Sequence, residues 1–68
     1  MPNYAWYYLD SSSDTCYWCY SNEMSTTDFA AVVSSKIGKH ISAADTSCAR
    51  NIQDLDRHKS YARHSVHI

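Results

Sequence analysis

Tyr4-Ala5-Trp6-Tyr7-Tyr8-Leu9 and Cys16-Tyr17-Trp18-Cys19-Tyr20 are two short aromatic runs, parted by the polar stretch Asp10-Ser11-Ser12-Ser13-Asp14-Thr15. Tyr and Trp fit a pleated, half-buried surface and so favour strands. Side chains alternate across a strand, which puts Tyr4, Trp6 and Tyr8 on one face and Ala5, Tyr7 and Leu9 on the other. In the second run Cys16, Trp18 and Tyr20 point opposite to Tyr17 and Cys19. The polar stretch between them has the character of a hairpin connection, although it lacks an Asn-Gly pair. The two runs therefore predict a β-hairpin over about residues 3–21. Seven of the nine aromatic residues of the chain fall within its first twenty positions.

Beyond the hairpin the periodicity changes. Ser25-Thr26-Thr27-Asp28 offers oxygen acceptors to the free amides that begin a helix. Phe29, Val32, Val33 and Ile37 then recur at helical spacing. Gly38 suits the left-handed residue that ends a helix, with Lys36 and Lys39 near the negative end of its dipole. This predicts a helix over about 27–37. Ser42-Ala43-Ala44-Asp45 resembles a capping box with Asp in place of Glu. Ile41, Ala44, Cys48, Ile52 and Leu55 follow at intervals of three and four, and Lys59, Ala62 and Val66 continue the stripe weakly. A second, longer helix is expected over about 43–63, with residues 64–68 extending it, fraying or forming a short third strand. Pro2 is terminal and Gly38 is the one glycine, so there is little room for loops and no flexible linker.

The chain has 68 residues, enough for one domain and a small core. Its formal charge of −1 fits neither a generic cationic nucleic-acid binder nor a densely acidic DNA mimic. The charges are segregated: residues 1–28 hold Asp10, Asp14, Glu23 and Asp28 and no Lys or Arg, while every basic residue and histidine lies from Lys36 onward. Three cysteines cannot close a complete disulfide set. No apolar stretch approaches the roughly 20 residues that span a membrane, and no signal peptide is evident. The expectation is an intracellular, cytoplasmic chain with reduced thiols and no membrane partner.

A two-stranded ribbon needs a helix layer or further strands. Two helices can cover one of its faces. Because both faces are aromatic, the other is expected to stay exposed as a binding surface. Tyr and Trp are suited to that role, since they bury large rigid areas and keep a polar handle. Tyr4, Trp6, Tyr8 and Tyr17 are the candidate partner-binding residues, and an open hairpin edge could accept a partner strand. The same rings could instead form the protein's own core. Nothing basic is interleaved with them, which disfavours base stacking.

Cys16 and Cys19 have the spacing of half a zinc site. Cys48, His40, His58, His64 and His67 could complete it, and His64 and His67, three apart, would share a helix face. Against zinc, the two thiols of a regular strand point to opposite faces, and Tyr17-Trp18 provides no knuckle turn. Free cysteines acting as small hydrophobes account for them better. A redox dithiol would need a helix N-terminus, which this strand lacks. Gly38 between two helices invites a helix-turn-helix reading, but the second helix begins without a base-reading side chain. Arg50, Arg57 and His64, spaced by sevens, would form one stripe facing an acidic partner, a phosphate backbone or simply solvent. There is no phosphate loop, paired-carboxylate signature or recognisable nucleophile, so no enzyme is expected.

The sequence thus predicts an α+β fold: an N-terminal aromatic hairpin packed on two helices, with a short C-terminal third strand as its one extension. The expected core is Trp6 or Trp18 with Leu9, Phe29, Val32, Val33, Ile37, Ile41, Ala44, Cys48, Ile52 and Leu55. The expected function is a cofactor-free, non-enzymatic protein-binding module. It would be an inhibitor or adaptor of the virus- or mobile-element type, occluding a larger host protein through Tyr4, Trp6, Tyr8, Tyr17, Arg50 and Arg57. A second copy of the chain is the other protein partner considered. The alternative is a zinc-stabilised or helix-turn-helix-like nucleic-acid-binding regulator, with Cys16, Cys19, His64 and His67 on the metal.

Overall fold

The computed structural model describes residues 4–68; Pro2 and the first residue of the expected hairpin, Asn3, lie outside them. The fold is α+β, as the sequence predicts: a four-stranded sheet and two α-helices. Strands β1 (Tyr4–Asp10) and β2 (Thr15–Ser21) form the antiparallel hairpin, with Trp6 opposite Cys19, Tyr8 opposite Tyr17 and Asp10 opposite Thr15. The connection closes without Asn-Gly because Asp10 organises it. Its carboxylate accepts the Ser12 amide at 3.2 Å and the Ser12 and Ser13 hydroxyls at 2.8 and 2.9 Å. Asp14 supplies the left-handed residue, φ 53°, a conformation that Asp tolerates better than most residues.

Helix α1 (Thr26–Ile37) begins at a true capping box: Ser25 Oγ accepts the Asp28 amide, and the Asp28 carboxylate accepts the Ser25 amide. It ends on Gly38, at φ 86°, whose amide bonds the Ser34 carbonyl. The chain then turns back along the helix, pinned where Ser34 Oγ accepts the Ile41 amide at 2.8 Å.

The region after Gly38 departs from the predicted long helix. Ala43–Asp45 makes only a 3₁₀ turn, strand β3 (Ser47–Ala49) follows, and helix α2 is confined to Ile52–Lys59. The expected range of 43–63 is thus replaced by turn, strand and an eight-residue helix. Two local facts favour this outcome. Asn51 caps α2 directly, its side chain accepting the Asp54 amide at 2.9 Å. The outer edge of β1 also has amides and carbonyls to satisfy, and β3 pairs with it antiparallel, Cys48 opposite Trp6. Strand β4 (His64–His67) then lies parallel to β2, giving the order β3-β1-β2-β4.

The helices lie on opposite faces of the sheet. Trp6 and Cys19 join Phe29, Val33 and Ile41 under α1, with Tyr8, Tyr17, Met24, Ile37 and Ile68 packed around them. Ala5 and Ala49 join Leu55 under α2, flanked by Tyr7, Trp18 and Ile52. Ala5 and Tyr7 alternate with Trp6 along β1, so these are two cores divided by the sheet. The expectation of one helix-covered face and one exposed aromatic face therefore does not hold. Each face has its own helix, because β3 carries the chain across the edge of the sheet between them. The core differs accordingly: Leu9, Val32, Ala44 and Cys48 are exposed, while Ala5, Cys16, Cys19 and Ala49 are buried. Among the described residues no helix is long and apolar enough to cross a membrane.

Candidate functional site

The four aromatic residues singled out by the sequence share the α1 face but differ in access. Trp6 is 7% exposed. Its ring lies 6.3 Å from that of Phe29, and its indole N–H donates to the Met24 carbonyl at 3.1 Å. Tyr8 and Tyr17 are cross-strand neighbours, half-buried against the same core. Tyr4, at the start of β1, is 48% exposed and stacks on Trp6, with ring centres 5.4 Å apart and planes 27° apart. Three of the four are thus partly or wholly committed to the fold, and Tyr4 is the ring offered to solvent.

Tyr4 and Trp6 line a cleft of about 420 Å³ with the segment of residues 22–26, where β2 passes into α1. Met24 is held there by its carbonyl's bond to Trp6, and the exposed Glu23 stands on the same rim. A second cleft, about 470 Å³, runs between α1 and residues 40–43 and is lined mainly by Ala and Ser.

The electrostatics separate these regions. At the hairpin connection, hydrogen bonds from Ser12 and Ser13 hold the Asp10 carboxyl below the usual carboxylate range, with a smaller contribution from Lys39. Asp14 faces Arg63 at 3.5 Å. On α2, Asp54 bonds Arg57 and Asp56 pairs with Lys59. Asp28 and Asp45 accept the amides of Ser25 and Ser42. Among the described residues, Glu23 has no ion-pair partner.

The basic stripe does not form. Arg50 precedes the Asn51 cap, and its amide donates to Asp54. His64 lies in β4. Arg57 donates to Asp54 and, at 2.8 Å, to the Tyr61 hydroxyl. The Asp54 carboxyl is lowered chiefly by the Arg57 hydrogen bond, which raises Arg57 reciprocally.

The zinc quartet is not assembled either. Cys19 faces α1, and by alternation Cys16 faces the other way; His64 and His67 divide similarly between the two sides of β4. Burial pushes both Cys16 and Cys19 thiols up, away from the thiolate that a metal needs. Among the described residues no group of three His, Cys, Asp or Glu could hold a metal ion. The helix pair required for helix-turn-helix docking is also absent among them, since the sheet stands between α1 and α2.

Sequence reasoning missed the polar side of α2. His58 stacks on Tyr7 with ring centres 4.3 Å apart, and its Nε2 lies 3.3 Å from the Tyr7 hydroxyl and 3.7 Å from Asp54. His67 stacks on Trp18 at 4.3 Å, and the Lys59 ammonium sits 4.0 Å from the same ring centre. These contacts join residues from distant parts of the chain, and no local motif marks them. The placement of Glu23 and Met24 beside Tyr4 and Trp6 was also missed, because an irregular junction carries no periodicity.

Comparison with protein-family models, curated proteins and solved structures finds no match.

Proposed function

We propose that this chain is a small non-enzymatic protein-binding module, an inhibitor or adaptor that occludes a larger partner, and that it engages that partner through the Tyr4 cleft. The observation that carries the reading is the half-exposed Tyr4 ring stacked on an immobilised Trp6. Trp6 is fixed from behind by Phe29 and from the side by its bond to the Met24 carbonyl. A ring on such a platform loses little freedom when a partner covers it, which favours affinity. Tyrosine is a common hot-spot residue, and Met24 adds a side chain that adapts to different partners. The inhibitor type, such as viruses and mobile elements aim at host machinery, is argued from the size of a compact chain and not from any residue.

A displayed-peptide selection tests the proposal. Peptides enriched on the intact protein should lose about tenfold or more in affinity on Tyr4→Ala, as a hot spot of about 2 kcal/mol requires. Tyr61→Ala, at a ring 61% exposed on the opposite side of the molecule's fold, should leave them unchanged. Failure to enrich any peptide, or binders indifferent to Tyr4→Ala, would remove the cleft as the docking site.

A further inference from the structure

We propose that β4 is the seam of a homodimer: a second copy of this chain pairs its own β4 antiparallel to it, joining two four-stranded sheets into one. The inference is independent of the Tyr4 cleft, which lies between β1 and the segment of residues 22–26.

The two edges of the sheet differ. β3 closes one side with only three residues, and a short edge is a common safeguard against pairing. β4 closes the other, and among the described residues no strand lies beyond it. His64–His67 contains no Pro, Lys, Arg, Asp or Glu, and its register with β2 runs without a bulge. The usual devices that blunt an edge are therefore missing from it. The direction of its free groups follows from its bonds to β2. The His64 amide donates to the Asp14 carbonyl at 3.0 Å, and the Ile68 amide to the Trp18 carbonyl at 2.8 Å. Alternate residues of a strand turn their backbone groups to the same side. The N–H and C=O of Val66 thus point to β2 like those of His64, and the groups of Ser65 and His67 point outward.

Those outward groups fix the register. In an antiparallel pair, the residues at a hydrogen-bonded position exchange both of their N–H···O bonds. Ser65 opposite His67 of the second copy, and His67 opposite its Ser65, satisfy every outward group of β4 on both chains. Sliding the strands by two residues sets one of these positions against a residue outside β4. The two-fold axis then passes through Val66, which meets itself across the seam at the closer, non-hydrogen-bonded spacing of about 4.5 Å between Cα atoms. Val66 lies beside Tyr17, and Tyr17 beside Tyr8, in one row across the sheet. All three are half-buried, with Tyr8 and Tyr17 packed on the α1-side core. The seam extends this row into its copy, so the apolar face runs unbroken from one protomer to the other. On the opposite face His67 meets a serine hydroxyl instead of a like charge. A foreign strand would have to bring the same spacing and an apolar residue of its own, whereas a second copy carries both. The symmetric pairing also closes, leaving only the short β3 edges open.

One strand pair with a single valine contact falls below the roughly 1,200 Å² of a standard interface. The dimer should therefore be weak and reversible, with a dissociation constant of about 100 μM. Sedimentation velocity of the full chain, with a reducing agent to keep the exposed Cys48 from cross-linking copies, should show mostly monomer at about 10 μM and mostly dimer at about 1 mM. Ser65→Pro removes an outward N–H and no bond to β2, a change that an edge strand tolerates. It should keep a dispersed NMR spectrum and associate about tenfold more weakly or worse, since by symmetry the seam loses a bond from each copy. In the parent protein the Ser65 and His67 amides should exchange with water about threefold more slowly at about 1 mM than at about 50 μM, as the monomer fraction falls. The β3 amides should not change. A monomer mass up to about 1 mM, a dimer without slowed exchange at Ser65 and His67, or a folded Ser65→Pro chain that associates like the parent would overturn the inference. If Ser65→Pro does not fold, the exchange rates of the parent decide.

Discussion

Replacing Trp6 and Tyr4 by alanine, one at a time, separates a ring that holds the fold from a ring that is available to a partner. A 68-residue chain at about 0.05–0.15 kcal/mol per residue has roughly 3–10 kcal/mol of total stability. Trp6 is 7% exposed and lies against Phe29, so its truncation falls in the core class, costing about 3–5 kcal/mol. The Met24 carbonyl also loses its donor, but it borders an open cleft where water can replace the bond, so this adds little. Tyr4 is 48% exposed, and about half of the 1.5–3 kcal/mol assigned to a fully buried large side chain gives about 1 kcal/mol. With a urea slope of about 1 kcal/mol/M for a chain this small, Tyr4→Ala should lower the midpoint by about 1 M. Trp6→Ala should shift it by about 3 M or more, or leave the protein unfolded in water. Trp6→Phe keeps most of the apolar volume and brings the loss to about 1–2 kcal/mol, with Trp18 as the remaining fluorophore. If Trp6→Ala stayed within about 1 kcal/mol of the parent, or Tyr4→Ala cost as much, the division between core and surface would be wrong.

Three further outcomes follow from individual side chains. Cys48 is exposed, whereas burial raises the Cys16 and Cys19 thiols. An alkylating agent at mildly alkaline pH should therefore modify Cys48 alone in the native protein and all three thiols after denaturation, as read by mass spectrometry. Asp10 is held below its ordinary titration range by Ser12 and Ser13. Its contribution is therefore complete above the unfolded-state value and is lost as pH falls through the lower folded-state value, so Asp10→Asn should be less stable at neutral pH and flatten the acid limb of the stability curve. Gly38 sits at φ 86° with open space where a Cβ would stand, so Gly38→Ala should cost about 1–2 kcal/mol of backbone strain alone, and Gly38→Asn less, in urea titrations.

Elements with local signals were legible in the sequence. The hairpin was marked by its aromatic alternation, and α1 by Ser25 and Asp28 at one end and Gly38 at the other. The expected third strand is β4. What failed was the stripe Ile41, Ala44, Cys48, Ile52 and Leu55, which satisfies a helical spacing without lying on one helix. Ile41 reaches the α1-side core and Leu55 the α2-side core, while Cys48 is an exposed residue of β3. The choice between helix and strand at residues 47–49 is made by the open edge of β1, which is distant in sequence. The same long-range decision places α2 on the far face, a matter of topology that no window of residues contains. In the site, Tyr4 was legible from its aromatic run. Glu23 and Met24 were not, because their position depends on where β2 stops and α1 begins.

The aromatic excess that first suggested an interface is largely absorbed by giving each face of the sheet its own helix. That narrows the recognition argument. A core divided by a sheet, in a chain of 68 residues, has little stability to spare. Changes to Trp6, Phe29 or Leu55 would cost folding before they altered specificity. Residues outside the two cores are free of that constraint, and near the open end of the hairpin these include Tyr4, Tyr20, Asn22, Glu23 and Arg50. Of these, Tyr4 lies on a rigid indole. Substitution there should redirect binding while leaving the unfolding midpoint within about 1 M urea of the parent. In this division of labour Trp6 holds the core, and Tyr4 is the ring of the four that is left to solvent.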